Sequence, residues 1–215
     1  MEVQVDTSHY DFKKYVKHNR WNSYYQQIIE TLNCEGKNVL YVGAGDGIVT
    51  DTLKKAGKNV KTLDFDKNLK PDYIGSVTDI KKALGKDWNK FDIILICQVL
   101  EHIPFKEFEN TVKQLAECAQ KRLIISLPNN NRKYRFFVNL PRPIGKRESV
   151  ILIRHRFGKK WDINDQGCGE HYWEIDAKGC PKRKEIAKIL KKYTKNLKYY
   201  ALFNNPYHIF YILDK

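Results

Sequence analysis

The sequence has no long apolar run, and this absence limits where the protein can work. No tract approaches the roughly 18 uninterrupted apolar residues that a membrane-spanning helix requires. The N-terminal residues carry charges where a signal peptide would have an apolar core, and no small-residue cleavage site follows them. We therefore expect a cytoplasmic protein that is neither exported nor embedded in a membrane.

Cysteine is scarce, and its pattern excludes a disulfide scaffold. The five cysteines are Cys34, Cys97, Cys118, Cys168 and Cys180. Scattered and odd in number, they suit reduced thiols, so we predict no structural disulfide. Cys168, His171 and Cys180 match no standard zinc spacing, and a fourth ligand is missing. We therefore expect no metal.

Acidic residues are outnumbered, with 25 Asp and Glu against 39 Lys and Arg, which gives a net charge of +14. The excess lies mainly in residues 131–215, which hold 20 basic and 8 acidic residues. Such a field attracts nucleic acid, an anionic lipid surface or an acidic small molecule. A solvated lysine-rich surface is the simpler explanation for part of it.

Apolar residues make up 42% of the 215 residues, which is enough for one core and little for two. We therefore predict a single domain with four parts. These parts are an N-terminal helical lid (1–37), a ligand-binding core (38–128), a substrate-side insertion (129–180) and a C-terminal helix with a hairpin (181–215).

Strands and helices alternate through the core. The predicted strands are Asn38–Gly43, Val60–Asp66, Tyr73–Gly75, Phe91–Cys97 and Arg122–Leu127; the predicted helices are 10–32, Ile48–Ala56, Asp79–Leu84, Phe105–Ala119 and Lys182–Tyr193. Phe91–Cys97 is apolar throughout, as expected for a parallel strand covered on both faces. The alternation predicts an α/β fold with a doubly wound sheet. A strand at Ser149–Ile153 and a closing hairpin of Leu197–Phe203 and His208–Leu213 complete the prediction.

A glycine-rich turn follows the first strand, with Gly43, Gly45 and Gly47 before a helix. Its backbone amides and the helix N-terminus suit a nucleotide-like ligand, and glycine permits close approach. The dinucleotide fingerprint G-x-G-x-x-G would need glycine where Ile48 stands, which disfavours NAD. Asp64, at the end of the second strand, can accept hydrogen bonds from the two ribose hydroxyls; Asp66 is a weaker candidate.

Four motifs, VLYVGAGDG, LDFD, IGSVTDI and FDIILICQVLEHIP, occur in this order between about residues 38 and 129. Together they resemble the class I S-adenosylmethionine-dependent methyltransferases, in their small-molecule type 11 branch. The resemblance implies a mostly parallel seven-stranded, Rossmann-like sheet with a closing antiparallel hairpin and an inserted lid. It also implies S-adenosyl-L-methionine as the cofactor. By resemblance, the cofactor-binding residues are Gly43, Ala44, Gly45, Asp46, Gly47, Asp64, Phe65, Ser76, Val77, Asp79, Cys97 and Gln98.

Several of these residues have structural alternatives. Asp46 could contact the cofactor or cap the following helix, and Asp79 could also be a helix cap. His102 is a candidate catalytic base, because a histidine near neutral pH can accept a proton as the methyl group arrives. The Glu101–His102 pair could instead begin or orient a helix.

Methyl transfer requires little acid or base catalysis, since the sulfonium is already a good leaving group. Orientation and exclusion of water should dominate. Our predicted substrate contacts are Tyr24, from the leading helix, and Arg154, His171 and Tyr172, from the insertion. Alternatively, the segment around Tyr172 begins a helix that buries Trp173 and Ile175 in the core.

We predict in-line methyl transfer to a small or lipid-linked, anionic acceptor. The alternative is an RNA or DNA methyltransferase whose basic C-terminal part binds the backbone. Enzymes that methylate base amines resemble one another in an Asn/Asp-Pro-Pro-aromatic motif after the fourth strand, where this chain has Gln98-Val99-Leu100. A third hypothesis, a cofactor-binding protein without catalysis, finds no support in the intact glycine turn and Asp64.

Overall fold

A computed structural model describes residues 17–130, 171–202 and 204–215, and the backbone of two short strands, Phe136–Val138 and Ser149–Ile151. The predicted substrate contact Arg154 lies outside the described residues, as do Cys168 and residues 10–16, where the sequence predicts the start of the leading helix.

Helices and strands alternate along the described core, as the sequence predicts. The helices are α1 (His18–Leu32), α2 (Ile48–Lys55), α3 (Ile80–Leu84), α4 (Phe105–Cys118) and α5 (Arg183–Leu190). The strands are β1 (Asn38–Val42), β2 (Asn59–Asp64), β3 (Tyr73–Ile74), β4 (Ile93–Cys97), β5 (Arg122–Pro128), β6 (Phe136–Val138), β7 (Ser149–Ile151), β8 (Asn196–Ala201) and β9 (His208–Asp214).

Seven of these strands form one sheet in the order β3-β2-β1-β4-β5-β9-β8. The first five strands pair in parallel, whereas β9 runs antiparallel to both β5 and β8. The predicted doubly wound α/β fold with a closing hairpin is therefore confirmed. β6 and β7 pair with each other in a separate antiparallel ribbon.

The central strands of the sheet, β1, β4, β5 and β9, are buried on both faces, which explains their apolar sequences. Alternate residues of β1 point to opposite sides: Val39 and Tyr41 join α1 and α2, while Leu40 and Val42 join α4 and α5. All five residues of β4 are buried. Two apolar layers therefore hold the carboxyl ends of the parallel strands rigidly at one edge.

The described part of the chain also shows the state of its cysteines and the character of its helices. Cys34, Cys97, Cys118 and Cys180 are free thiols. Among the helices described, none is at once long enough and apolar enough to cross a membrane.

Candidate functional site

The strand order places a crevice between β1 and β4. From β1 the chain winds outward to β2 and β3, whereas β4 and β5 lie on its other side. Open α/β sheets bind ligands at such a switch point, outside the carboxyl ends of the strands. The predicted cofactor contacts lie in the residues that end or follow β1, β2, β3 and β4, and so share this edge of the sheet.

The glycine turn adopts a backbone that only glycine accepts readily. Gly43, Gly45 and Gly47 have φ values of 70°, 58° and 78°. A Cβ atom on Gly43 would lie 2.4 Å from Cγ2 of Val99, so the turn packs directly on the segment after β4. A Cβ atom on Gly47 would meet no atom within 4 Å. The turn is therefore a half-exposed backbone cradle, and close approach of a ligand is sterically allowed.

Asp46 joins the glycine turn to two helices. Its Oδ1 accepts a hydrogen bond from the backbone N–H of Ile48 at 3.1 Å, at the start of α2, and its Oδ2 accepts one from the Tyr24 hydroxyl. Asp46 thus serves the capping role that the sequence left open. Tyr24 is buried and fastens α1 to the turn.

Asp64 and Phe65 follow the end of β2. The Asp64 carboxylate accepts a hydrogen bond from the Asp66 backbone N–H at 3.0 Å, and burial raises the pKa of Asp64. The buried Asp66 instead caps a short turn by accepting from the Asn68 N–H at 2.9 Å. The two carboxylates therefore differ in burial: Asp64 is half-buried at the strand end, whereas Asp66 is buried.

The segment after β3 forms a short 3-10 turn, Val77–Asp79. The Ser76 hydroxyl caps it by accepting from the Thr78 N–H at 3.2 Å, and Val77 is buried beneath it. Asp79 is exposed and makes no side-chain capping bond to α3. Asp79 therefore occupies the N-cap position of α3, as the alternative held, but its carboxylate makes no capping hydrogen bond there.

Cys97 and Gln98 form the end of β4. Burial raises the pKa of Cys97 to about 12, so this thiol is neutral at physiological pH and is a poor nucleophile. Gln98 has a left-handed backbone with φ of 58°, and its side chain donates to Ser126 Oγ at 3.2 Å. Non-glycine residues in this conformation are uncommon and cluster at functional sites.

Residues 171–175 lie across the turn that follows β4. The Tyr172 N–H donates to the Glu101 carbonyl at 2.9 Å, and Trp173 Nε1 donates to the Ile103 carbonyl at 3.0 Å. Trp173 and Ile175 are buried, as the alternative prediction held, but this segment is not helical. Tyr172 is 61% exposed beside the site.

A polar network missed by the sequence analysis surrounds His171. Its ring meets the His102 ring edge-on with centroids 4.8 Å apart, and its Nδ1 lies 2.8 Å from Oε1 of Glu174. Glu174 also accepts hydrogen bonds from the Tyr207 hydroxyl at 2.6 Å and from Asn130 Nδ2 at 3.2 Å.

Glu101 is the most unusual member of the site. The residue is completely buried, and neither carboxylate oxygen has a hydrogen-bond partner among the described residues. Burial raises the pKa of this carboxyl to about 8. Glu101 and His102 are adjacent in the sequence, but the sequence pattern did not predict that His171 lies next to them in the fold.

Comparisons with known proteins agree with this geometry. A family profile described as a methyltransferase domain matches residues 12–178. No curated protein matches the sequence.

Three solved methyltransferase structures illustrate the fold. The methyltransferase domain of bacterial CtHen1 is 15% identical, with 92% of this chain and 100% of that chain covered and a TM-score of 0.59. The N-methyltransferase NodS from Bradyrhizobium japonicum, in complex with S-adenosyl-L-homocysteine, is 10% identical, with coverages of 95% and 91% and a TM-score of 0.55. The small RNA methyltransferase HEN1 is 12% identical, with coverages of 100% and 27% and a TM-score of 0.58.

The profile spans more than half of the chain, and the five parallel strands and the glycine turn lie within the residues that it matches. The chain therefore belongs to the methyltransferase domain family and is a class I S-adenosylmethionine-dependent methyltransferase.

Proposed function

We propose that the enzyme transfers the methyl group of S-adenosylmethionine to a small or lipid-linked, anionic acceptor in the cytoplasm. The observation that carries the proposal is the left-handed glycine turn packed on Val99, with Asp64 at the neighbouring strand end. Kinship with the small-molecule type 11 branch, suggested by the four sequence motifs, is part of the same proposal.

The cofactor would lie along the carboxyl edge of the sheet. The backbone of residues 43–47 would hold its methionine part, and Asp64 with Phe65 its ribose. Ser76, Val77 and Asp79 would surround the adenine, and Cys97 with Gln98 would border the sulfonium. When bound, the cofactor supplies a methyl group on a good leaving group. The protein's own contribution is then orientation and exclusion of water.

The acceptor would bind beside the turn after β4. His171 and Tyr172 are fastened there by the bonds to Glu101 and Ile103, close to His102. Gln98 is tied to Ser126, at the position where base-amine methyltransferases have their Pro-Pro-aromatic motif. The net charge of +14 favours an anionic acceptor, and Arg154 is our proposed contact, since a guanidinium fork matches carboxylate or phosphate.

Methylation of RNA or DNA is the second candidate. The same positive charge supports this candidate, and a protein described as a small RNA methyltransferase has a similar fold. The acceptor class therefore needs a direct test.

Calorimetric titration with S-adenosylhomocysteine tests the cofactor site. Asp64→Ala removes charge-assisted hydrogen bonds to the two ribose hydroxyls, each contributing about 1.5–3 kcal/mol, so affinity should fall by more than about 100-fold. Asp51→Ala, an exposed carboxylate on α2, should leave it unchanged. Binding of NADH with no binding of S-adenosylhomocysteine would overturn the proposal.

A further inference from the structure

Three potential ligands for a metal ion meet beside the turn after β4. Glu101, His102 and His171 each offer one ligand atom, and these atoms lie within 4.8 Å of one another. Within the part of the chain that the structure describes, both oxygens of the completely buried Glu101 carboxylate lack a hydrogen-bond partner. A buried carboxylate is normally paired, hydrogen-bonded or bound to a metal, so this side chain points to a ligand.

The His171 ring is already held as a metal ligand would be. With a proton on Nδ1, the ring donates to Glu174, and its Nε2 then carries the coordinating lone pair. Glu174 is itself fixed by Tyr207 and Asn130. A carboxylate that orients a histidine in this way is typical of protein metal sites.

We infer that Glu101, His102 and His171 bind a divalent first-row transition metal ion, with Glu174 positioning His171. Two imidazole nitrogens and one carboxylate oxygen suit Zn²⁺, Co²⁺ or Fe²⁺, whereas Mg²⁺ and Ca²⁺ prefer oxygen ligands. Tetrahedral ligands with metal–ligand distances of about 2.0–2.2 Å lie roughly 3.4 Å apart, so the three side chains would converge slightly on binding. This inference departs from the sequence expectation of no metal.

Three protein ligands leave a coordination position for water or for an acceptor atom. The Leu100–His102 turn begins two residues after Gln98, at the edge where the methyl donor is proposed to bind. A metal here could hold an acceptor oxygen or nitrogen in line with the methyl group. That role rests on the proposed function, but binding of the ion itself does not.

Cobalt binding tests the inference with a readout other than activity. Chelator-treated protein is titrated with Co²⁺ and followed by visible absorption. The wild-type protein should bind one equivalent with intense d–d bands, and Zn²⁺ should displace it. Glu101→Gln and His171→Gln should abolish the bands. Glu174→Gln should weaken binding about 10- to 100-fold. His18→Gln, at an exposed histidine that begins α1, is the matched control and should bind as wild type.

Circular dichroism and thermal unfolding without metal establish that the variants are folded, and added Zn²⁺ should raise the Tm of the wild type but not of Glu101→Gln. Absence of these bands in the wild type, or wild-type binding by both ligand variants, would overturn the inference. S-adenosylhomocysteine titration of the wild type is independent: its failure with intact Co²⁺ binding would reject the proposed function and leave the metal site standing.

Discussion

Position 43 shows how two constraints at one residue select glycine. The backbone there is left-handed, and the site of a Cβ atom is already filled by Val99. At Gly57, which also has a left-handed backbone, a Cβ atom would meet no atom within 4 Å. Alanine at Gly57 would therefore meet only backbone strain, whereas alanine at Gly43 would meet backbone strain and a steric clash with Val99.

We expect Gly43→Ala to lower the free energy of unfolding by about 2–4 kcal/mol, because strain of roughly 1–2 kcal/mol adds to overpacking against Val99. Gly57→Ala should cost only the strain, about 1–2 kcal/mol. Urea unfolding followed by circular dichroism measures both. Equal losses in the two variants would mean that Val99 moves aside freely.

At the scale of single residues, the sequence predicted those features of the site that depend on a short local sequence pattern. Gly43, Gly45 and Asp64 were recognisable because a strand, a tight turn and a strand end each have short-range signals. The proximity of His171 to Glu101 was not predictable from the sequence. It depends on the pairing of Ile175 with Asn129, just after β5, which brings residues 171–175 to the turn after β4. The Tyr24–Asp46 bond is also a tertiary contact, without a signal in either segment.

Helix α1 is joined to the sheet by a half-buried ionic network. Arg122 Nε donates to Asp214 at 2.6 Å, and Arg122 Nη1 donates to the Glu30 carbonyl at 3.0 Å and lies 3.7 Å from its carboxylate. Glu30 is buried and also accepts from Tyr200. The network thus ties α1 to β5, β8 and β9.

Arg122→Ala should reduce the free energy of unfolding by about 2–4 kcal/mol, because it leaves the buried Glu30 with only the exposed Lys198 as a cation, 3.5 Å away. Lys61→Ala, which breaks an exposed pair with Asp72, should cost less than about 1 kcal/mol. Chemical denaturation of both variants checks the contrast. A loss below about 1 kcal/mol for Arg122→Ala would show that Lys198 compensates.

His208, at the start of β9, makes the contact between α1 and the hairpin sensitive to acid. Its Nδ1 lies 2.5 Å from Ser23 Oγ, and burial, with a contribution from the charge of Arg20, lowers its pKa to about 3. The unfolded histidine titrates near 6.5. Below about pH 6.5 the unfolded chain therefore binds a proton that the native state does not, and stability falls as the pH decreases toward 3.

Between about pH 7 and about pH 5 this single group should remove roughly 2 kcal/mol of stability. His208→Gln keeps a hydrogen-bonding side chain without the titration, so its stability should change less over the same range. Urea unfolding at the two pH values measures the difference, with His18→Gln as the exposed control. If the stability of His208→Gln depended on pH as strongly as that of the wild type, the acid sensitivity would come from other titratable groups.

Element boundaries show where periodicity fails. The helix predicted at Lys182–Tyr193 ends as α5 at Leu190 and continues as a 3-10 turn, because an apolar pattern does not distinguish the two. The strand predicted at Phe91–Cys97 begins at Ile93. β6 was not predicted, since three residues are too few to show a period of two.

On the scale of the whole molecule, the charge of +14 is compatible with both acceptor classes, so charge alone does not decide between them. Many of the described basic residues are exposed on α5 and around β8, among them Lys184, Lys191, Lys195 and Lys198. Exposed lysines attract any polyanion through the field they create, without reading its sequence.

We therefore predict weak, non-specific binding to nucleic acid. Each phosphate that the protein neutralises adds roughly 0.7–0.9 to the slope of log affinity against log salt, so a dedicated RNA interface would show a steep dependence. Filter binding against a mixed RNA pool at two salt concentrations measures the slope. Methyl-transfer assays with the same RNA and with metabolite and lipid extracts locate the label, which we expect in a small or lipid-linked anionic product. Tight, sequence-dependent RNA binding with label in the RNA would instead establish the second candidate function, because only a built interface combines a steep salt dependence with discrimination among sequences.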